Sequence, residues 1–265
     1  MGYPTLTYQC DDGIATVALT VPEKRNAISM QMIADLLGAL QQTEEGPARV
    51  LIITGSGKAF CAGMDLDELQ HFAKQGLPRN LEDARRITKL FYRLFSFPKP
   101  IIAAVNGAAI AGGCGIATLA DFALAVPNAK FGYPEVKIGF TPAVVSVFVR
   151  RRLGDKQMRD LLLTGRIVDA AEALKMGLIT EIVPAEDLMD RAREIAGLLL
   201  AASPTSVAQT KKLLLNFDRA AIRAELEVAI EASAEIRSTH NFREGVAAFL
   251  EKRPPKWKVP SPSNE

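Results

Sequence analysis

The sequence predicts an α/β protein built from repeated strand–loop–helix units, followed by a helical C-terminal third. Two apolar runs, 49–54 (RVLIIT) and 101–105 (IIAAV), each lead through a glycine turn into a small-residue loop and then a helix. The loops carry Gly63 in one unit and Gly112-Gly113 in the other, and such repetition indicates a stacked or spiralling core. From Asp169 onward the pattern is mostly helical. The chain has 265 residues, 48% of them hydrophobic, which is enough to bury a substantial core. The division drawn is residues 1–200 as the strand-and-helix core and 201–265 as a helical region.

Taken in order, residues 5–8 and 14–20 flank Asp11-Asp12-Gly13, a hairpin turn. Ser29 is placed to cap a helix over 30–42, whose Ile33, Leu36, Leu37 and Leu40 share a face. After the strand at 49–54, Asp65 with Glu68 has the spacing of a capping box. Residues 76–80 read as an exposed loop and 81–95 as a helix ended by Pro98 and Pro100. Strand 101–105 meets the turn pair Asn106-Gly107, then Gly112-Gly113 and a buried helix. A strand over 122–126 and an irregular stretch through Pro142 precede a helix at 143–153. Asp169 opens a helix that Gly177 closes, and 178–183 is a strand. Pro184 precedes a helix to about residue 202, Ser203-Pro204 starts another, and helices at 219–239 and 242–252 complete the chain. These last helices have apolar faces without a tight core of their own, so they are expected to pack on a neighbouring subunit.

Composition narrows the function. A net charge of +2 offers no field for nucleic acid or an acidic membrane surface. Arg150-Arg151-Arg152 and the tail Lys252, Arg253 and Lys256 are read as solvated surface. Cys10, Cys61 and Cys114 are widely spaced, which points away from disulfides and zinc and toward a reducing cytosol. The first residues lack the apolar core of a signal peptide, and no run is long enough to span a membrane. The expected location is cytoplasmic. Gly55-Ser-Gly-Lys58 lacks the upstream glycine and the hydroxyl residue of a phosphate-binding loop. No G-x-S-x-G elbow occurs, and the only histidines, His71 and His240, lie on polar helical stretches, so neither a histidine triad nor a metal centre is expected.

Two features remain. The glycines around Gly112 allow close approach to the main chain, and free N–H groups at a helix start favour developing negative charge. Glu135 stands among Phe131, Tyr133, Val136 and Ile138, where burial would raise its pKa into the range of acid–base work. The competing reading is an exposed carboxylate paired with Lys137.

The segments PEKRNAIS, GKAFCAGMDL, PKPIIAAVNGAAIAGGCGIATLAD, AKFGYPEVKIGFTP, LTGRIVDAAEALKMGLITEIV and EGVAAFLEKRPPKW, in that order, resemble the crotonase (enoyl-CoA hydratase/isomerase) superfamily across nearly the whole chain. The resemblance implies a spiral of ββα units with a helical C-terminal trimerisation region, assembled as a trimer or a dimer of trimers. It implies an acyl-CoA thioester substrate and no cofactor beyond the coenzyme A that the substrate carries. No nucleic-acid or membrane partner is implied. By motif position the backbone N–H groups of Met64 and Gly112 would hold a thioester enolate, with Glu135 as the acid/base. Contacts to the coenzyme A part would come from Lys24 and Arg25, from the stretch Lys58, Ala59, Ala62, Gly63 and Asp65, from Gly113, and from Phe249 and Lys256 near the C-terminus. The sequence departs from the two-glutamate pattern at one point: Gly115 stands where the first catalytic glutamate would be. Single-glutamate relatives include Δ3,Δ2-enoyl-CoA isomerases and some hydratases of branched-chain catabolism, such as methylglutaconyl-CoA hydratase-like proteins, which the run PEVKIGFTPAVVS resembles more. The expectation is therefore a hydratase (a lyase) of fatty acid metabolism, with the isomerase and a non-catalytic acyl-CoA-binding protein as alternatives.

Overall fold

The computed structural model describes residues 2–259. The last residues of the 201–265 region, 260–265, lie outside the described residues. The chain begins with a hairpin of β1 (Leu6–Asp11) and β2 (Ile14–Leu19). Asp12 and Gly13 both take positive φ there, which matches the right-handed twist of the two strands. Helix α1 (Met30–Glu45) follows, and the Ser29 side chain accepts from the Met32 N–H as its cap.

Three ββα turns come next. The first is β3 (Val50–Gly55), β4 (Ala59–Cys61), α2 (Leu66–Lys74) and α3 (Leu77–Phe95). The second is β5 (Ile101–Val105), β6 (Ala108–Ile110) and α4 (Gly112–Leu119). The third is β7 (Phe122–Ala125), β8 (Lys130–Gly132), a short helical turn at Pro134–Ile138, and α5 (Ala143–Val149). Helix α6 (Asp155–Thr164), β9 (Ile167–Asp169), α7 (Ala170–Met176), β10 (Glu181–Ile182) and α8 (Leu188–Ala201) complete the core. The first strand of every turn joins a six-stranded sheet, ordered β1-β2-β3-β5-β7-β10, and the second joins a four-stranded sheet, β4-β6-β8-β9. Within each sheet β3, β5 and β7, and likewise β4, β6 and β8, run parallel. This is why β3 and β5 are near-continuous apolar runs: both of their faces are covered.

Several expected boundaries move. Helix α3 starts at Leu77, a turn before the predicted residue 81, because Pro78 in the first turn costs no hydrogen bond that the helix would otherwise make. The segments read as separate helices at 204 and 219–239 are one 33-residue helix, α9 (Pro204–Ile236), started by Ser203 as predicted. Helix α10 (His240–Leu250) folds back onto the Pro134–Ile138 turn. Gly245 permits that approach, since a Cβ there would meet the backbone of Ile138. The predicted strand 178–183 shrinks to β10, and the helix expected over 143–153 ends at Val149. Glu68 does not return to Asp65 to close a capping box; it accepts from the Met30 N–H instead and ties α2 to α1. The basic clusters are partly ion-paired, Arg150 and Arg151 with Glu225 and Arg253 with Glu244, while Arg152, Lys252 and Lys256 are exposed. No helix among the described residues is long and apolar enough to cross a membrane.

Candidate active site

The ends of β4 and β6 are adjacent in the smaller sheet, so the loops that follow them converge. After β4, residues 62–65 run beside residues 25–28. Ala62 N–H donates to the Arg25 carbonyl (3.0 Å), Ile28 N–H to the Gly63 carbonyl (2.7 Å), and Asp65 N–H to the Ile28 carbonyl (3.0 Å). Alternate groups of an extended strand point in opposite directions, so the Met64 N–H faces away from Ile28, with no acceptor among the described residues. Asn26, fully buried, fixes this arrangement. Its Oδ1 accepts from the Val21 N–H, and its Nδ2 donates to the carbonyls of Ser56 and Ala59.

After β6, Ala111 adopts φ 51° and ψ −120°, a conformation costly for a residue with a Cβ. That bend starts α4 at Gly112, whose N–H is one of the unpaired donors of a helix beginning and also lacks an acceptor among the described residues. The two loops touch. A Cβ on Gly63, which has φ +87°, would lie 2.9 Å from the Ala111 Cβ and 3.6 Å from the Gly112 nitrogen. The sequence therefore brings two free main-chain donors to one place, with the positive end of a helix behind one of them.

They open on a cavity of about 360 Å3. Its wall includes Ala62, Met64 and Gly112, the aromatic rings of Phe72, Phe91 and Phe140, and Glu135. Glu135 is only 8% exposed, it forms no ion pair with Lys137, and its Oε2 has no hydrogen-bond partner among the described residues. Burial lifts its carboxyl to about 7, partly offset by a hydrogen bond from its own backbone. The reading as an exposed, Lys137-paired carboxylate is thus overturned. Lys137 is exposed, and the helical turn directs residue 135 inward. An open groove of about 610 Å3 between α3 and α9 presents exposed Arg85, Lys89, Arg223 and Glu227 and no buried carboxyl.

The other predicted residues divide by position. Phe249 reaches the cavity wall from α10 of the same chain. Lys24, Arg25, Lys58 and Lys256 are exposed outside it. Lys24 pairs with Asp65 (2.9 Å) and Asp67 (2.8 Å), and the Asp65 side chain also caps α2 by accepting from the Asp67 N–H. Ala59, Gly63 and Gly113 are packed behind the loops. A Cβ on Gly113 would strike the Cys61 carbonyl. At Gly115 a Cβ would lie 2.7 Å from the Phe91 ring and 2.9 Å from Val145. These two side chains leave no room for a side chain at position 115, where the resemblance would put the first glutamate. Gly115→Glu is accordingly expected to destabilise the fold by about 2 kcal/mol or more through overpacking, read as a lower denaturation midpoint.

Two polar residues contributed to the cavity by α9 and its end were not anticipated. Arg237 and Ser233 sit on the buried stripe of α9 and its end, at helical spacing from Ile222, Leu226 and Ile230. The available signal was an arginine continuing an apolar stripe. Arg237 is 1% exposed, and its burial depresses its pKa to about 10.

Comparison with known proteins agrees with this architecture. The family profile described as enoyl-CoA hydratase/isomerase matches residues 9–260. A Thermus thermophilus protein provisionally named an enoyl-CoA hydratase is 42% identical over 92% of this chain and 97% of its own. The crotonyl-CoA hydratase of Syntrophomonas wolfei is 32% identical over 96% of this chain and 97% of its own. Among solved structures, an enoyl-CoA hydratase/isomerase from Xanthobacter autotrophicus superposes with a TM-score of 0.87 at 28% identity, covering 95% of this chain and 97% of that one. The ββα spiral is the crotonase fold, and the chain belongs to the enoyl-CoA hydratase/isomerase family.

Proposed function

We propose that the protein adds water across the double bond of a 2-enoyl-CoA thioester, with Glu135 as the single acid/base and the Met64 and Gly112 N–H groups as the oxyanion donors. The observation that carries this is one buried, uncompensated carboxyl sharing a cavity with two unpaired main-chain donors. The Glu135 carboxylate takes a proton from water as the hydroxide oxygen bonds to the β-carbon. The π electrons move onto the thioester oxygen, whose negative charge the two N–H groups receive. Each such donor contributes ~2.7–4 kcal/mol to the transition state. Glu135, now neutral, returns its proton to the α-carbon from the same side, so hydroxyl and hydrogen add syn. A carboxyl that ionises near 7 is suited to both steps. Incubation with crotonyl-CoA and identification of 3-hydroxybutyryl-CoA tests this; a chain that leaves every 2-enoyl-CoA unchanged refutes it.

The single carboxyl also favours a second reading, Δ3,Δ2-isomerisation, in which Glu135 carries one proton from C2 to C4 and no water is consumed. A 3-enoyl-CoA that emerges as the unhydrated 2-enoyl isomer would identify it. For the coenzyme A part, exposed Arg25, Lys58 and Lys256 supply positive charge outside the cavity, suited to phosphates, while the Lys24 charge is already shared with Asp65 and Asp67.

The helical C-terminal region is the proposed oligomerisation surface. On α9, Leu213, Leu214 and Phe217 are exposed, Phe217 by 72%, an apolar patch with no partner among the described residues. Phe217→Lys is expected to shift the protein to lower mass by light scattering; an unchanged mass removes this face from the interface.

A further inference from the structure

We infer that the acyl group this protein works on ends in a carboxylate, which Arg237 receives inside the cavity; this rests on the acyl-CoA reading above and specifies its substrate class. Arg237 follows the last turn of α9, where the stripe Ile222, Leu226, Ile230 and Ser233 would be completed by an apolar residue in a purely structural helix. An arginine is there instead, almost completely buried and on the wall of the cavity that holds Glu135. Its Nη2 donates to the Ser233 Oγ at 3.2 Å, while Nε and Nη1 have no partner among the described residues. It forms no ion pair among the described residues. Its guanidinium carbon lies 4.2 Å from the centre of the Phe72 ring and 5.6 Å from that of Phe140.

The Asp83 carboxylate attracts the guanidinium through space without contacting it, and a buried cation with no contacting carboxylate is unfavourable. Contact with the two rings offsets part of that and leaves the Nε and Nη1 donors open. Leucine or methionine would pack the same place without the penalty. What removes the penalty is an acceptor with two parallel oxygens, the geometry a carboxylate offers to the guanidinium fork. The phosphates of coenzyme A have exposed lysine and arginine available outside the cavity, whereas the surroundings of Arg237 are aromatic and suit the end of an acyl chain. A substrate ending in a methyl group would leave the fork unpaired, so the site discriminates against it.

Equilibrium binding of glutaryl-CoA and pentanoyl-CoA, which differ in a terminal carboxylate against a methyl group, tests the inference without requiring turnover. The native protein is expected to prefer glutaryl-CoA by about 100-fold, the worth of a charged hydrogen-bonded pair. In Arg237→Met the ratio should fall below about tenfold, and Arg237→Lys should recover part of it. The Met variant removes an unpaired buried charge and leaves no ion-pair partner stranded, so its denaturation midpoint should equal or exceed that of the native chain. If the native protein binds the two thioesters equally, the inference is wrong, as it would be if a neighbouring subunit supplied the missing carboxylate. Turnover of glutaconyl-CoA against 2-pentenoyl-CoA separates the two claims. Hydration of both at equal kcat/KM overturns the carboxylate alone. Strong preference for glutaryl-CoA with no hydration of any enoyl-CoA overturns the hydratase reading and leaves Arg237 as argued.

Discussion

Glu135→Gln is expected to lower kcat for hydration by about 10^4-fold, the upper end for one general acid–base group, because no second carboxyl stands in the cavity to share the work. The same substitution should raise stability at alkaline pH. The folded carboxyl ionises near 7 and the unfolded one near its ordinary 4.5. Between those values the folded chain keeps a proton that the unfolded chain has lost, so stability falls as pH rises through the window. The contribution is fully present below about 4.5 and gone above about 7. At about 1.4 kcal/mol per pH unit, the gap between 7 and 4.5 corresponds to ~3 kcal/mol. Denaturant titrations should therefore find the Gln variant more stable by about that amount at pH 8 and nearly equal to the native protein at pH 4.5. A variant that loses activity without gaining stability at pH 8 would show that Glu135 ionises at its ordinary value. Native kcat/KM for hydration should rise with pH and level off above about 7, where the free enzyme holds the carboxylate form.

Gly63→Ala should cost about 10^2–10^3-fold in kcat while leaving Glu135 in place. Its Cβ would stand 2.9 Å from both the Ala111 Cβ and the Ile110 carbonyl, on a residue whose φ of +87° already excludes an ordinary side chain. To relieve the clash the β4 and β6 loops must separate, and the Met64 and Gly112 donors then no longer converge on one oxygen. Backbone strain alone adds about 1–2 kcal/mol of destabilisation. Single-turnover kinetics with crotonyl-CoA and a denaturant midpoint measure the two effects. Native kcat in this variant would mean that the donors do not act as a pair.

The spiral was legible because its causes are local. Apolar strands, glycine turns and small-residue loops recur along the chain, and each element depends on its own residues. Helix starts with a polar cap, at Ser29, Asp169 and Ser203, fall where the sequence puts them. What was not legible depends on distant neighbours. Glu135 has Lys137 two positions away, and only the turn at Pro134 and the arrival of α10 decide that one is buried and the other exposed. Gly115 marks an absent carboxylate in the sequence, but the reason, Phe91 and Val145 occupying its space, comes from two other helices. Arg237 escaped notice altogether. A single arginine closing a long helix is ordinary in a sequence and becomes unusual only when both ring neighbours and the cavity wall are known.

The order in which the cavity wall is assembled has a further effect. Met64, Gly112 and Glu135 lie in the first half of the sequence or just beyond it, while Arg237 and Phe249 come from near its end. During synthesis at the ribosome the spiral is complete well before α10 emerges, and until then Phe72, Phe140 and their neighbours face solvent as an open apolar cup. Nascent chains in that state are liable to associate with one another and to be held by chaperones. Helix α10 therefore closes the cavity and also ends the period in which its apolar wall lies open to solvent.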